Sequence, residues 1–369
     1  MSEHKKKIYI NISDVAAYIG QNYFDFVTPF ERIWKKCDLE TYQNLIQTLQ
    51  HEIHENKKEI DDLELEKQKC DDDFESKKIT KRQHTLRIKK IEEKKQNSND
   101  KIEVIQDRID EIDLTHKQQL EKIVGNEIIN NMESKNIETQ DKRVKMSEAL
   151  ESLDVSEKKL SMLKKTAESY INKTHGTLKE DTAIEMYEKK YNVKLDTSQQ
   201  FNKRFLKQIS QNSKFDWYIC GKVDGLYIDT QPPYHSYIVE VKNRTKSFFS
   251  TLREYEKTQI QLYMWVLEMD HAKLVEKYNN KIKITEVPRE DVYIADIMDF
   301  LCLFIQILEN KFLSNMTNKL EYTKKEFDDK KQYIKKMFFS EITKLQNEKI
   351  IERTIDTDTD SEQCMIDDL

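Results

Sequence analysis

The chain has 369 residues, with 62 basic against 68 acidic side chains and a formal net charge of -6, so it offers no global basic footprint. Charged residues reach 35% while only 5 Gly and 4 Pro are present, which argues against two ordinary loop-rich domains and predicts long uninterrupted helices. Five scattered cysteines without a CxxC pair argue against a disulfide framework, a zinc site or an iron-sulfur site.

The opening MSEHKKKIYI lacks the apolar stretch of a signal peptide, and no window approaches 18 apolar residues. The expectation is a non-secreted protein of a reducing, intracellular or cytoplasmic compartment, with no membrane span. Residues 1–37 read as globular. A strand-like IYINI precedes SDVAAYIGQNYFDFVTPFERIWKK, where apolar residues recur at helical spacing and Gly20 ends a first helix. Tyr18, Tyr23, Phe24, Phe26, Phe30 and Trp34 crowd this segment and need partners to pack against.

From 38 to 170 the chain turns Lys/Glu/Gln/Asp-rich, has one glycine (Gly125) and no proline, and carries apolar heptads. Ile46, Leu49, Ile53, Ile60, Leu63, Cys70 and Phe74 form one seam, and Ile88, Ile91, Ile102, Ile105, Ile109, Ile112 and Ile123 another. The reading is an inserted antiparallel coiled-coil hairpin with its tip at QNSND, residues 96–100. Arms of roughly 55 residues would project on the order of 80 Å. Met146, Leu150, Leu153, Leu160, Leu163 and Ala167 form the returning seam after a break near Gly125 to Asn136. Lys and Glu alternate too evenly to track phosphates, so this arm is expected to be a spacer or to mediate homo-oligomer or protein-partner contacts.

Globular composition resumes in 171–312, with a helix at 176–191, a strand pair over 215–229, a strand at 236–243, a helix at 253–270, strands over 272–296 and a helix at 297–312. A polar helical segment (313–354) and a disordered acidic tail (355–369) complete the expectation. Within the globular part, WYICGKVDGLYID and then YHSYIVEVKNR set Asp224 16 residues before Glu240, with Lys242 two further on. Residues two apart in a strand share a face, so Glu240 and Lys242 project together while Val239 and Val241 point into the core. Two carboxylates and a lysine converging at a sheet edge are costly unless they serve an ion, and Mg²⁺ suits two carboxylates, the Val241 carbonyl and water. Such an ion polarises a phosphoryl oxygen and activates water, with Lys242 orienting that water or helping to deprotonate it. This is the pattern of a PD-(D/E)XK nuclease. Asn243 and Arg244 follow directly and could hold a phosphate.

Four blocks together resemble the YqaJ viral recombinase and lambda exonuclease family, in the versions found in phages and large DNA viruses. Gly176, Glu180 and Ala183 match its Gly-x3-Glu-x2-Ala; Asp224, Gly225 and Leu226 match Asp-Gly-Leu; Glu240 and Lys242 match Glu-x-Lys; Gln259, Gln261, Met264 and Trp265 match its Gln-x-Gln block. SDVAAYIGQNYF resembles the family's opening segment, which places Ser13 near the DNA end. Val223 and His175 stand where relatives carry proline and Arg or Trp. The resemblance implies an α/β restriction-endonuclease-like core, a mixed central sheet flanked by helices, built from 1–37 and 171–312 with the coiled coil inserted. It also implies one or two Mg²⁺ ions, with Mn²⁺ able to substitute, and hydrolysis of linear duplex DNA from its ends in recombination, replication or repair. Glu180, Asp224, Glu240, Lys242 and Gln259 would be catalytic, with Glu180, Asp224, Glu240 and Val241 as metal ligands. Ser13, Asn243, Arg244 and Gln261 would contact DNA. An endonuclease of the same superfamily, or an inactive nuclease-fold scaffold working through its coiled coil, are the alternatives.

Overall fold

The computed structural model describes residues 5–229 and 235–363. The chain starts with β1 (Lys6–Asn11), α1 (Ile12–Tyr18) and α2 (Val27–Cys37), then runs through α3 (Leu39–Glu75), α4 (Lys81–Asp113), α5 (His116–Val124), α6 (Asn126–Glu133), α7 (Thr139–Glu151) and α8 (Glu157–Tyr191). There follow β2 (Asn202–Phe205), α9 (Lys207–Gln211), β3 (Phe215–Gly221), β4 (Gly225–Tyr227), β5 (Tyr237–Asn243), α10 (Glu254–Leu267), β6 (His271–Tyr278) and β7 (Lys281–Pro288). The C-terminal helices are α11 (Asp291–Ile307), α12 (Met316–Thr323), α13 (Phe327–Ile334) and α14 (Ser340–Gln363). Two compact units result: unit 1 is 1–37, 132–143 and 171–369, and unit 2 is 38–131 and 144–170. Residues 132–143, read as part of the insertion, therefore belong to unit 1.

Unit 1 is mixed α/β. Its strands form two hydrogen-bonded sheets, β1-β3-β2 and β4-β5-β6-β7, in place of one central sheet. The chain between β3 and β4 holds Asp224, whose carboxylate accepts the Val241 N–H at 2.7 Å, so a side chain takes a bond that a longer β4 could have supplied. β1 runs parallel to β3, which puts the first residues of the chain in a sheet with residues beyond 200. β5 and β6 are also parallel, joined through α10, and β6 and β7 form a hairpin. Tyr237, Val239 and Val241 on one face of β5 pack with Ala183, Ile184 and Tyr187 of α8, the i, i+1, i+4 surface of that helix.

The aromatic N-terminal segment finds its partners far along the chain. Phe30 packs on Phe312, Tyr322 and Phe338, and Trp34 on Phe312 and Tyr322. Residues 313–354, expected as a polar helical segment, are broken into shorter helices with buried Tyr322, Ile334, Phe338 and Ile342, and widened π-type turns lie just before this stretch at Leu308–Leu313 and within it at Lys335–Phe339. The expected disordered tail is helical to Gln363, and 364–369 lie outside the described residues.

Unit 2 contains an antiparallel helix pair. Lys67 pairs with Glu92 at 2.5 Å and Lys95 with Glu64 at 2.6 Å, while Leu49, Ile53, Ile105 and Ile109 pack between α3 and α4. The reversal lies at residues 76–80, not at 96–100, which fall inside α4. Ser98 is buried there and donates to Glu59 at 2.9 Å. Lys77 takes the left-handed conformation (φ 60), and Thr80 with Gln83 forms a capping box that starts α4. That Thr-x-x-Gln signal outweighs the polar run QNSND, whose members tolerate an exposed helix. With 37 residues in α3, the first arm rises about 55 Å, shorter than expected. Among the described residues no helix is long and apolar enough to cross a membrane.

Candidate active site

Three local rules bring the site together in unit 1. The alternation of β5 turns Glu240 and Lys242 away from the Val239 and Val241 core and toward α10. The break between β3 and β4 leaves Asp224 beside β5, bonded to the Val241 N–H. On α8, Glu180 lies three, four and seven residues before Ala183, Ile184 and Tyr187, so it extends the face that packs on the sheet.

Glu240 is 2% exposed. Its Oε1 accepts from Lys242 Nζ at 2.6 Å and from Gln259 Nε2 at 2.8 Å, and Gln259 Oε1 accepts from Lys242 at 3.3 Å. The other oxygen, Oε2, is buried with no hydrogen-bond partner among the described residues. Burial raises the Glu240 carboxyl to about 7, aided by the charge of Asp224 and opposed by Lys242. Burial likewise raises Asp224 to about 6; Lys242 and the Val241 N–H pull down, and Glu180 pushes up. For Lys242, burial alone would favour the neutral amine, but Glu240 and Asp224 outweigh it and hold the ammonium charged. Glu180 is raised by burial and then by Glu240, and it accepts from Gln199 Nε2 at 2.8 Å.

This charge pattern suits a divalent cation. Two buried carboxylates whose proton affinity is raised by burial and by a neighbouring acid, one with a buried oxygen lacking a partner among the described residues, gain most from an external positive charge. The set is sparse, because among the described residues no three His, Cys, Asp or Glu side chains stand close enough to grip an ion together. Asp224 and Glu240 are the pair that fits, with water completing a Mg²⁺ shell.

The remaining expected residues divide. Gln259 sits in the site as described. Gln261 does not: it is fully buried, donates to the Pro288 carbonyl at 2.8 Å and accepts from the Glu290 N–H at 2.9 Å. Two residues apart on a helix means opposite sides, so only one of the pair could reach the carboxylates. Arg244 is not free for a phosphate either. It makes a two-pronged bond to Glu256 (2.7 and 2.9 Å), a third to Glu276 at 2.7 Å, and lies on the Phe249 ring. Asn243 donates to the Gly176 carbonyl at 3.0 Å, and its buried Oδ1 is an acceptor, which does not suit an anion. Ser13 is exposed in the first turn of α1. Glu188, further along the same helix, accepts from the Leu195 N–H at 2.8 Å.

Tyr263, which no sequence pattern singled out, lies close enough to the site to feel the charges of Glu240 and Asp224 and the Gln259 side chain, and burial raises its hydroxyl well above the usual tyrosine range. The four-residue spacing from Gln259 on α10 was the available signal. Its ring lies over Gly221, where an added Cβ would come within 2.7 Å of Tyr263 Cε1, so only glycine admits it. Gln199 had no local signal at all, since its contact with Glu180 depends on how the segment after α8 folds back.

No family model matches the chain, and no curated protein matches it. Among solved structures it is similar to SSO0001 at 15% identity and TM-score 0.28, over 48% of this chain and 90% of that one. It is also similar to an alkaline exonuclease (LHK-Exo) from Laribacter hongkongensis at 15% identity and TM-score 0.30, over 49% of this chain and 86% of that one. The structure of LHK-Exo in complex with dAMP gives 16% identity and TM-score 0.28, over 52% and 92%.

Proposed function

We propose that the chain is a Mg²⁺-dependent deoxyribonuclease of the PD-(D/E)XK type that hydrolyses DNA from its ends, in recombination, replication or repair of the viral kind. The observation that carries this reading is the buried, partnerless Oε2 of Glu240, set beside Asp224 and held by Lys242 and Gln259. A carboxylate oxygen buried without a donor is expensive, and a cation is the partner its surroundings lack.

Asp224 and Glu240 would hold the ion, with the Val241 carbonyl as a further ligand and Glu180 nearby. Bound there, Mg²⁺ supplies Lewis-acid polarisation of the phosphodiester and lowers the pKa of water. Lys242, kept protonated by the two carboxylates, acts as a donor. It orients the attacking water and places positive charge beside the phosphorane as negative charge builds. Gln259 fixes Lys242 and Glu240 relative to each other, and Tyr263, one helical turn on, packs beside the site.

The test is digestion of end-labelled linear and closed circular duplex DNA with Mg²⁺ by the wild-type chain, Asp224→Ala and Lys242→Ala. Loss of linear DNA alone, with each substitution slowing it by about a hundredfold or more, is the expected result. Cutting of circles would replace the exonuclease with an endonuclease. Inactivity of the wild type on every substrate would end the enzymatic reading in favour of a scaffold.

A further inference from the structure

Next to the carboxylates lies a second group of charges, of the opposite sign, that the proposed chemistry leaves unused. Lys142 and Arg143 of α7, His175 and Lys179 of α8, and Lys277 of β6 all belong to unit 1; Lys179 acts electrostatically on Lys142, His175 and Lys277, and His175 also feels Lys142, Arg143 and Lys277. Thr139 Oγ1 and His175 Nδ1 share a hydrogen bond at 2.6 Å, and Arg143 donates to Asn172 at 2.9 Å, which ties α7 to α8. Lys142 is only 5% exposed. Among the described residues, the ammonium groups of Lys142, Lys179 and Lys277 have neither an ion-pair nor a hydrogen-bond partner.

Such a grouping is unfavourable in isolation. Burial and the charge of Lys179 lower the proton affinity of Lys142 and of Lys277 alike. Burial lowers that of His175, as do Lys179, Lys277, Lys142 and Arg143. Glu138 is the one acid that acts on both Lys142 and Lys277, and it is exposed. Three ammonium groups gathered with only the exposed Glu138 to offset them, one on a nearly buried stem, favour an anion from outside the chain.

Position suggests which anion. In the β5–β6 register Lys277 stands opposite Asn243, one residue past Lys242. Asn243 donates to the Gly176 carbonyl, and Gly176 is one residue from His175 and one helical turn from Glu180. The basic group therefore adjoins the candidate metal ligands at the same end of the sheet. We infer that Lys142, Lys179 and Lys277 form a phosphate-binding site that grips the backbone of the DNA strand held at the carboxylates. This assignment rests on the nuclease reading above. It gives residues 132–143 a role in substrate binding in place of the spacer role expected of that stretch.

The experiment uses the full chain, with EDTA preventing cleavage, and follows fluorescence anisotropy of a labelled duplex over a range of salt concentrations. Wild type is compared with Lys142→Met, Lys277→Met and the double variant, and each is also melted without DNA. Each single substitution should weaken DNA binding by about tenfold and flatten the log–log salt dependence by about one unit. Lys142→Met should melt at or above the wild-type temperature, because it removes a repelled, nearly buried charge and keeps the apolar stem; a packing lysine would show the opposite. If Lys142→Met melts lower, Lys142→Arg decides: restored affinity supports the site, and continued loss at a wild-type melting temperature overturns it. Unchanged affinity and salt slope in the variants, with a wild type that binds and cuts DNA, overturns the site and leaves the nuclease standing. Inorganic phosphate that raises the melting temperature of wild type but not of Lys142→Met, with DNA affinity unaffected, assigns the site to a free anion and also overturns it. A wild type that neither binds nor cuts DNA removes the nuclease reading and this site with it.

Discussion

Glu240 shows how strongly one side chain depends on its neighbours. Its Oε1 has two donors, Lys242 and Gln259, and its Oε2 has none among the described residues, so anything that turns the carboxylate exchanges one unsatisfied oxygen for another. Gln259 is the group that prevents the turn, and the Tyr263 hydroxyl is its neighbour one helical turn along α10. Tyr263→Phe deletes a single hydroxyl and keeps the ring over Gly221. The expected result is a folded protein with a melting temperature near wild type whose turnover falls by about tenfold, a loss seen in kcat more than in KM. Single-turnover cleavage kinetics would measure it, and a rate equal to wild type would remove Tyr263 from the positioning chain. Much of this site was legible in the sequence. Asp224, Glu240 and Lys242 stand out by spacing, because strand periodicity is a local rule, and Gln259 by the family resemblance. Arg244 and Gln261 were misjudged because Glu256, Glu276 and the Pro288 carbonyl, the partners that occupy them, reach them only through the folding of α10 and the β6–β7 hairpin.

At the level of elements, α2 and α13 are joined by a buried ion pair. Lys330 is 1% exposed and bonds Glu31 at 2.9 Å, and the Tyr322 hydroxyl donates to the same Glu31 oxygen at 3.1 Å. Both cationic and hydroxyl donors converge on one carboxylate inside the aromatic cluster of Phe30, Trp34 and Phe312. Glu31→Ala removes the carboxylate on which Lys330 and Tyr322 converge, so about 1.5–3 kcal/mol of stability should be lost. Replacing Glu31 and Lys330 together by apolar residues should recover most of it. Urea denaturation of the three proteins checks this, and a single variant as stable as wild type would show that the pair carries little. The sequence announced that the N-terminal aromatics needed partners, but not that 304–339 supplied them. Helical periodicity shows which face is apolar and never which other face will meet it.

For the whole molecule, the raised carboxylates couple stability to pH. With folded-state values of about 6 for Asp224 and about 7 for Glu240, the folded chain binds more protons than the unfolded one between roughly pH 4 and pH 7. Their contribution is therefore stabilising in acid and is lost as pH rises through that window. Thermal melts in EDTA should show a falling melting temperature from about pH 5 to pH 7.5, less steep in Asp224→Asn. Mg²⁺ should raise the melting temperature more at pH 8 than at pH 5, since protons compete for the same oxygens. An equal Mg²⁺ effect at both values, or none in either, would speak against a cation at these carboxylates.

The sequence by itself determined the periodic and local features: the strand that aligns Glu240 with Lys242, the helix that carries Gln259, the long apolar seams of α3 and α4, and the cap at Thr80 that went unread. Each follows from backbone geometry and near-neighbour chemistry, which a linear pattern records. Only the tertiary structure decided that strands sort into two sheets, that β1 pairs with β3, that Arg244 and Gln261 are occupied, and that Lys142 and Lys277 both come within the field of Lys179. Those outcomes depend on which distant surfaces find one another, and contact between residues 100 or more positions apart leaves no period in the chain.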